Sequence, residues 1–183
     1  VPMSAKPFHD GHWWLIGEAA RDNDEVIVFV STSDRKRKGQ HTILGSDMKD
    51  IWNDYLEPIM PANVKIEYGG SPVRKVYEAV GDAAEKAAAG QTVETTFRVY
   101  SDKTDTAQNY PEKNRQKYMQ PLYDQGRVEF PGEAWQDRSE TSVTTSGTGM
   151  RLALQQGDFD TFAAGMPAPL SDEAVQAIFD KLS

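Results

Sequence analysis

Apolar residues along the chain fall into short continuous runs, separated by longer stretches with helical spacing. The run at residues 25–31 is apolar after its first position, as in a strand that is buried on both faces. Similar shorter runs predict strands at 63–68 and 95–100, with a weaker strand at 126–130. The opening residues 1–5 would be the end of a first strand, with a few native residues missing before them.

The intervening stretches predict helices. Ser46 and the acidic residues after it are typical of a helix start, as is the pair Ser71-Pro72. The predicted helices span residues 11–21, 46–56, 71–89 and 111–122, followed by a helical tail from 147 with breaks at 157 and 165–169. This alternation predicts an α/β fold: a single Rossmann-like domain over residues 1–183, with an about five-stranded parallel sheet, helices on both faces and a C-terminal helical tail.

Composition limits the classes of function. A net charge of −8 argues against nucleic acid as a partner, because such proteins usually present a basic face. No apolar run approaches the ~18 residues that span a membrane. The absence of cysteine excludes disulfides and thiolate chemistry. We therefore expect a cytoplasmic protein that binds neither nucleic acid nor membranes, with any local cationic region serving a phosphorylated small molecule.

Ligands of parallel sheets bind where strands end, so the loops after the strands are the places to search. The first loop holds His9 and His12 at the start of a helix. Helix N-termini attract anions, and two imidazoles there would add donors that gain charge easily near pH 7. The pair has three interpretations: a phosphate site, two structural histidines, or a metal pair completed by His41. The metal interpretation is the weakest.

A second loop, residues 144–151, reads TTSGTGMR. Ser146, Gly147 and Thr148 form a turn at a helix start, and Arg151 lies one helical turn further on. This pattern is typical of an anion site with one added cation. An ordinary Ser/Thr cap followed by a solvated arginine would look the same.

Three further loops carry polar residues. Residues 31–39 contain a basic run directly after the buried strand, and residues 69–77 place a Gly-Gly turn before a capped helix that carries Arg74. Either is a candidate phosphate contact, although a solvated surface or a plain turn explains each. The loop at 101–115 would recognise a base or an acceptor, but on sequence grounds a solvent loop is the better interpretation.

The first two loops together resemble the signatures of the nucleotidylyltransferase superfamily. Residues 9–12 (HDGH) match its HxGH motif, and residues 146–151 (SGTGMR) resemble its late S-[GST]-T-x-x-R motif. The likeness spans essentially the whole chain. It is nearest to the nucleotidyltransferases of tailed bacteriophages, which share stretches like PMSAKPFH, STSDRKRKG and YGGSPVRKVY; for a phage protein, the compartment would be the host cytoplasm.

The resemblance implies a Rossmann-like enzyme that transfers a nucleoside monophosphate from a nucleoside triphosphate to a small phosphorylated acceptor, releasing pyrophosphate. His9 and His12 would stabilise the α-phosphate, and Thr148 and Arg151, with Ser146, would hold the β- and γ-phosphates. Mg²⁺ would bridge triphosphate oxygens. The residues implied to bind nucleotide are Pro7, Phe8, Gly11, Ser146, Gly147 and Thr148.

Two departures from the superfamily pattern matter. The arginine that often precedes the first motif is replaced by Ser4, so Lys6 is expected to contribute its charge to catalysis. The second motif favours ATP, with CTP as the alternative. Acceptor contacts are expected from Ser31, Ser33, Arg35, Arg37, Ser71 and Arg74. A non-catalytic nucleotide-binding module is the alternative function, and the oligomeric state stays open, with Trp13 and Trp14 able to serve an interface or, more typically, the core.

Overall fold

Strands and helices alternate through the chain, of which the computed structural model describes residues 1–135 and 145–183. The strands are β1 (Pro2–Met3), β2 (Val26–Val30), β3 (Val64–Tyr68), β4 (Phe97–Arg98) and β5 (Val128–Glu129). The α-helices are α1 (Asp10–Asp22), α2 (Gly45–Ile51), α3 (Pro72–Ala88), α4 (Lys103–Asn109), α5 (Glu112–Tyr118), α6 (Gly147–Gln156), α7 (Phe159–Ala164) and α8 (Asp172–Leu182). A π-helical turn, Trp52–Leu56, continues α2, and short 3-10 turns follow it at Glu57–Ile59 and precede Trp135 at Pro131–Ala134.

All strand pairs are parallel, as predicted, but they form two sheets within the described residues. One sheet has the order β1-β2-β3, and the other pairs β4 with β5. The predicted single five-stranded sheet is therefore not observed. Strands β1 and β4 have two residues each, so neither provides a long edge on which a ladder of hydrogen bonds could join the sheets.

Helix starts were predicted with mixed success. The Ser71 hydroxyl accepts a hydrogen bond from the Arg74 N–H at 3.3 Å, which confirms the predicted cap of α3. The prediction for Ser46 is wrong, because α2 begins one residue earlier, at Gly45. The Gly45 N–H donates to Oδ1 of Asp34 at 2.8 Å, so a carboxylate eleven residues away binds this helix end.

Residues 101–115 are not the solvent loop favoured by the sequence. The carboxylate of Asp102 accepts a hydrogen bond from the Asp105 N–H at 2.7 Å and begins helix α4. Ser101 and Thr106 are buried, with their hydroxyl oxygens 2.7 Å apart. This segment therefore follows β4 as an ordered helix start in which Ser101 and Thr106 are buried while Lys103, Thr104 and Asp105 are exposed.

Two hydrophobic clusters organise the fold. The first lies around β1, β2 and helices α1, α2, α6 and α8, and Trp13 packs against it. The second joins α3 to β4, β5 and the end of α5. In the described part of the chain, no helix combines the length and the apolar character needed to cross a bilayer.

Candidate functional site

A cavity of about 400 Å³ opens at the carboxyl ends of the strands. The loop after β1 lines it, and so does Arg35, which follows β2. The 101–105 segment after β4 and Trp135 after β5 line it as well. The starts of α1 and α6 complete it, so both motif-bearing loops meet here, at the position expected for a parallel α/β fold.

His9 and His12 cap the start of α1 in a reciprocal arrangement. Nδ1 of His9 accepts a hydrogen bond from the Gly11 N–H at 3.0 Å, and Nδ1 of His12 accepts one from the His9 N–H at 3.2 Å. The two ring centroids lie 4.0 Å apart. These bonds satisfy N–H groups that have no partner within the helix, and they fix both rings at the mouth of the same helix end.

The capping bonds also determine the tautomer of each neutral ring. A ring nitrogen that accepts a hydrogen bond carries no hydrogen, so the hydrogen of each neutral imidazole is on Nε2. Both histidines line the cavity. The pair is thus arranged as two Nε2–H donors beside the positive end of the α1 dipole.

Lys6 is buried, with 4% of its surface exposed. Its Nζ donates to the Ser31 carbonyl at 3.0 Å, and burial lowers the pKa of the ammonium while the charge of Asp34 partly opposes that shift. The preceding residue, Ala5, has a φ of 53°, in the left-handed region that residues with a Cβ seldom adopt. The backbone is therefore held in a costly conformation at the point where it delivers a lysine to the cavity.

Arg151 reaches the same point from the far end of the chain. Its Nη1 donates to the Lys6 carbonyl at 2.8 Å, and its Nη2 donates to the Thr148 hydroxyl at 3.3 Å. Nε is buried and has no hydrogen-bond partner among the described residues. Burial lowers the pKa of this guanidinium, and the charges of Arg35 and Arg37 act in the same direction.

Because Gly147 has no side chain, there is room beside it for the Arg151 guanidinium. A Cβ at this position would lie 2.8 Å from Nη1 of Arg151, closer than carbon and nitrogen normally approach. The neighbouring Ser146 caps α6 by accepting a hydrogen bond from the Gly149 N–H at 3.1 Å. The predicted turn is confirmed in this respect, although Thr144, at the start of the predicted loop, lies outside the described residues.

Lys6, Arg35 and Arg151 line the cavity in a protein whose net charge is −8, and Arg37 is close enough to Arg151 to lower its pKa. Within residues 1–135 and 145–183, none of Lys6, Arg35, Arg37 and Arg151 forms an ion pair with a carboxylate. Like charges this close repel one another, and Arg151 is also desolvated. Asp102 and Asp105 line the cavity as well, so side chains of both charges are present at it.

The remaining predicted residues divide into two groups. Near the cavity, the hydroxyl oxygens of Ser31 and Ser33 lie 2.8 Å apart in the loop after β2. Away from it, Arg74 is 80% exposed and pairs with Glu78 at 3.2 Å, while the Ser71 hydroxyl serves as a helix cap. The structure therefore does not bring Ser71 and Arg74 to the cavity with the other candidates.

Sequence reasoning missed the aromatic wall of the cavity. Trp14 and Trp135 meet edge to face with ring centroids 5.2 Å apart, and both line the cavity together with Asp102. Trp14 follows Gly11 by three residues on α1, so helical spacing places both on one face. That spacing was the available signal for Trp14, whereas nothing local to Trp135 indicates that it lies opposite.

The three histidines do not form one metal site. Nε2 of His41 lies 2.5 Å from the Leu182 carbonyl, beside the C-terminal helix, while His9 and His12 cap α1. The part of the chain that the structure describes contains no group of three or more histidine or acidic side chains placed to hold a metal ion.

Comparison with known families supports a nucleotidyltransferase-like relationship. The model of the citrate lyase ligase C-terminal domain matches residues 1–44, which contain β1, the histidine pair, β2 and the basic loop. A search of curated proteins finds no match. The matched segment supplies more than half of the residues that line the cavity, and Gly147 and Arg151 lie beyond it.

Proposed function

We propose that this protein is a nucleotidylyltransferase that joins a nucleoside triphosphate, preferably ATP, to a small phosphorylated acceptor. The observation that carries the proposal is the junction of Lys6, Arg151 and the His9–His12 pair at one cavity, without carboxylates paired to the cations in the described residues. A triphosphate carries enough negative charge to satisfy such a site, through strong charge-assisted hydrogen bonds.

The reaction requires positioning and charge stabilisation from the protein. An oxygen of the acceptor phosphate forms a bond to the α-phosphorus, and the bond from that phosphorus to the bridging oxygen breaks. The electron pair leaves with pyrophosphate. The Nε2–H groups of His9 and His12 would donate to the α-phosphate oxygens as their charge increases, which is the kind of contact that accelerates such transfers.

The leaving group would be held by the other half of the cavity. Arg151, the Thr148 hydroxyl and the N–H groups at the start of α6 would bind the β- and γ-phosphates, with Lys6 adding its charge. Pro7, Phe8 and Gly11 shape the first loop and Ser146 and Gly147 the second. Because Arg151 already donates to the Lys6 carbonyl, binding the triphosphate would require little rearrangement.

Magnesium is expected with the triphosphate. Asp102 and Asp105 line the cavity, but the described residues contain no group of three or more histidine or acidic side chains placed to hold a metal ion. The ion would therefore be held by phosphate oxygens and water, which suits the reluctance of Mg²⁺ to lose its waters. Its contribution when bound is to neutralise charge on the phosphates.

The acceptor phosphate would lie on the side of β2. Arg35 lines the cavity there, Arg37 is close enough to lower the pKa of Arg151, and Ser31 and Ser33 present hydroxyls in the same loop. Trp14 and Trp135 would bound the other end.

The test is pyrophosphate release. The protein should be incubated with ATP or CTP, Mg²⁺ and a panel of phosphorylated acceptors, and at least one combination should release pyrophosphate. Triphosphate binding without turnover across the panel would instead favour a non-catalytic binding module. Absence of both binding and turnover would refute the proposal.

A further inference from the structure

The loop between β2 and α2, residues 31–44, folds back on itself. The Arg35 N–H donates to the Ile43 carbonyl at 2.8 Å, and the Ile43 N–H donates to the Arg35 carbonyl at 3.1 Å. Ile43 is fully buried in the first hydrophobic cluster. The basic run is therefore not a loose surface segment, because the backbone of Arg35 is paired with a residue that is anchored in the core.

The base of this loop is closed as well. Oδ1 of Asp34 accepts the hydrogen bond from the Gly45 N–H, so a residue beside Arg35 is joined to the start of α2. A Cβ at Gly45 would lie 1.8 Å from the Thr32 carbonyl oxygen, so only glycine permits this approach. These contacts hold the two ends of the loop together, and the Arg35 side chain starts from a fixed position.

Gln40 is the residue that the loop returns to the Arg35 side chain. The Gln40 N–H donates to the Arg37 carbonyl at 3.0 Å, in a turn where Gly39 has a φ of 76°, in the left-handed region that favours glycine. Oε1 of Gln40 accepts a hydrogen bond from Nη1 of Arg35 at 2.5 Å. The turn thus brings together two side chains that are five residues apart in the sequence.

This hydrogen bond opposes an electrostatic repulsion. Burial lowers the pKa of Arg151, and the charge of Arg35 lowers it further, so the two guanidinium groups lie close enough to repel each other. A long arginine side chain could relieve that repulsion by turning into solvent, and the bond to Gln40 restrains it. The amide of Gln40 is neutral, so it holds the guanidinium without cancelling the charge, as a carboxylate would.

The bond to Gln40 leaves most of the guanidinium available. Among the described residues, Gln40 is the one hydrogen-bond partner of this group, so Nε and Nη2 of Arg35 remain as donors for a ligand. These two nitrogens are one of the pairs with which arginine binds a phosphate through two parallel hydrogen bonds. Arg35 lines the cavity, so such a ligand would lie there.

We propose that Gln40 is a positioning residue that directs Nε and Nη2 of Arg35 into the cavity, where they bind the phosphate group of the acceptor. The inference rests on the proposed function for the role of that phosphate in the reaction. The contact itself requires only a phosphate group, and it can be measured without turnover.

The kinetic experiment compares Gln40→Ala and Gln40→Glu with Gln91→Glu. Gln91 is a matched control because it is exposed, lies beyond the end of α3 and gives the same change of net charge. Gln40→Ala should raise KM for the acceptor by ~2–5-fold, the range for an exposed charged contact, with little change in kcat. Gln40→Glu should raise it further, because the carboxylate would neutralise the guanidinium. Gln91→Glu should match the wild type.

A double-mutant cycle separates positioning from direct contact. In an Arg35→Gln background, adding Gln40→Ala should leave KM for the acceptor unchanged, since Gln40 acts through the guanidinium that is already absent. Additive effects of the two substitutions would show that Gln40 contacts the acceptor by itself, and they would overturn the positioning role.

A second readout uses inorganic phosphate and does not depend on turnover. The Nε–H signal of Arg35 in nitrogen-15 spectra, assigned by its loss in Arg35→Gln, should shift saturably as phosphate is added to the wild type. The Kd for phosphate from this titration should rise by ~2–5-fold in Gln40→Ala and further in Gln40→Glu. Gln91→Glu should titrate like the wild type.

The outcomes separate the two proposals. A signal that phosphate does not shift, or equal Kd values in the wild type and Gln40→Ala, would overturn the positioning role even if the protein turns over. A wild type without turnover on any acceptor, in which Gln40→Ala still weakens phosphate binding at Arg35, would reject the proposed function and retain the role of Gln40.

Discussion

Replacing Gly147 by alanine tests whether the placement of Arg151 determines triphosphate binding. The new Cβ would lie 2.8 Å from Nη1, and ordinary contact begins at about 3.4 Å, so the guanidinium must move by about 0.6 Å. Its hydrogen bond to the Lys6 carbonyl is 2.8 Å long, and such a shift would lengthen it beyond the range of a normal hydrogen bond. Hydrogen bonds of charged groups contribute about 1.5–3 kcal/mol, which corresponds to a ~10–150-fold loss of affinity.

Calorimetric titration with a non-hydrolysable triphosphate measures this loss. Gly17→Ala is the matched control, because Gly17 lies inside α1 with nothing within 4 Å of an added Cβ. It should bind like the wild type and gain about 0.5–1 kcal/mol of stability from helix propensity. If Gly147→Ala binds the triphosphate with wild-type affinity, the reasoning that the placement of the Arg151 guanidinium determines phosphate binding is refuted.

Further predictions address the other groups of the site. His12→Ala should reduce turnover by at least ~10²-fold while circular dichroism shows an intact fold; near-normal turnover would remove the proposed role. Burial lowers the pKa of Lys6. As the pH rises in the alkaline range, triphosphate affinity should therefore decline at a lower pH than the one at which an exposed lysine loses its proton. Over the same window the unliganded protein should gain stability in urea titrations, since the unfolded chain holds that proton more tightly; Lys6→Met should abolish both effects. Arg35→Gln should raise KM for the acceptor several-fold, whereas Arg74→Gln should not, and equal effects would contradict the placement of the acceptor. Pyrophosphate at ~100 times its Kd should stabilise the protein by about 2.7 kcal/mol in thermal melts, and an unchanged Tm would argue against a phosphate site.

The sequence was sufficient where local chemistry decides the structure. The apolar run at 25–31 and the Ser71-Pro72 pair predict β2 and α3 to within a residue, because burial on both faces and side-chain capping act over short distances. The turn at Ser146 was predicted for the same reason.

Other features depend on residues that are distant in sequence. Gly45 rather than Ser46 begins α2 because Asp34 reaches across a loop. The solvent interpretation of 101–115 failed because Ser101 and Thr106 bond to each other in the interior. The division of the sheet follows from the two-residue lengths of β1 and β4, since strand length depends on tertiary packing more than on β-propensity.

The site itself is joined by two long-range contacts. Arg151 Nη1 binds the Lys6 carbonyl, and the Asp10 N–H donates to the Gly165 carbonyl at 2.9 Å. Each contact ties the N-terminal loop to the C-terminal helices, so neither half provides the full set of donors alone. The repulsion among the cations opposes this closure, because no carboxylate pairs with them in the described residues. Under the proposed function an anionic ligand would relieve that repulsion, so the arrangement that opposes closure would favour binding of a polyphosphate.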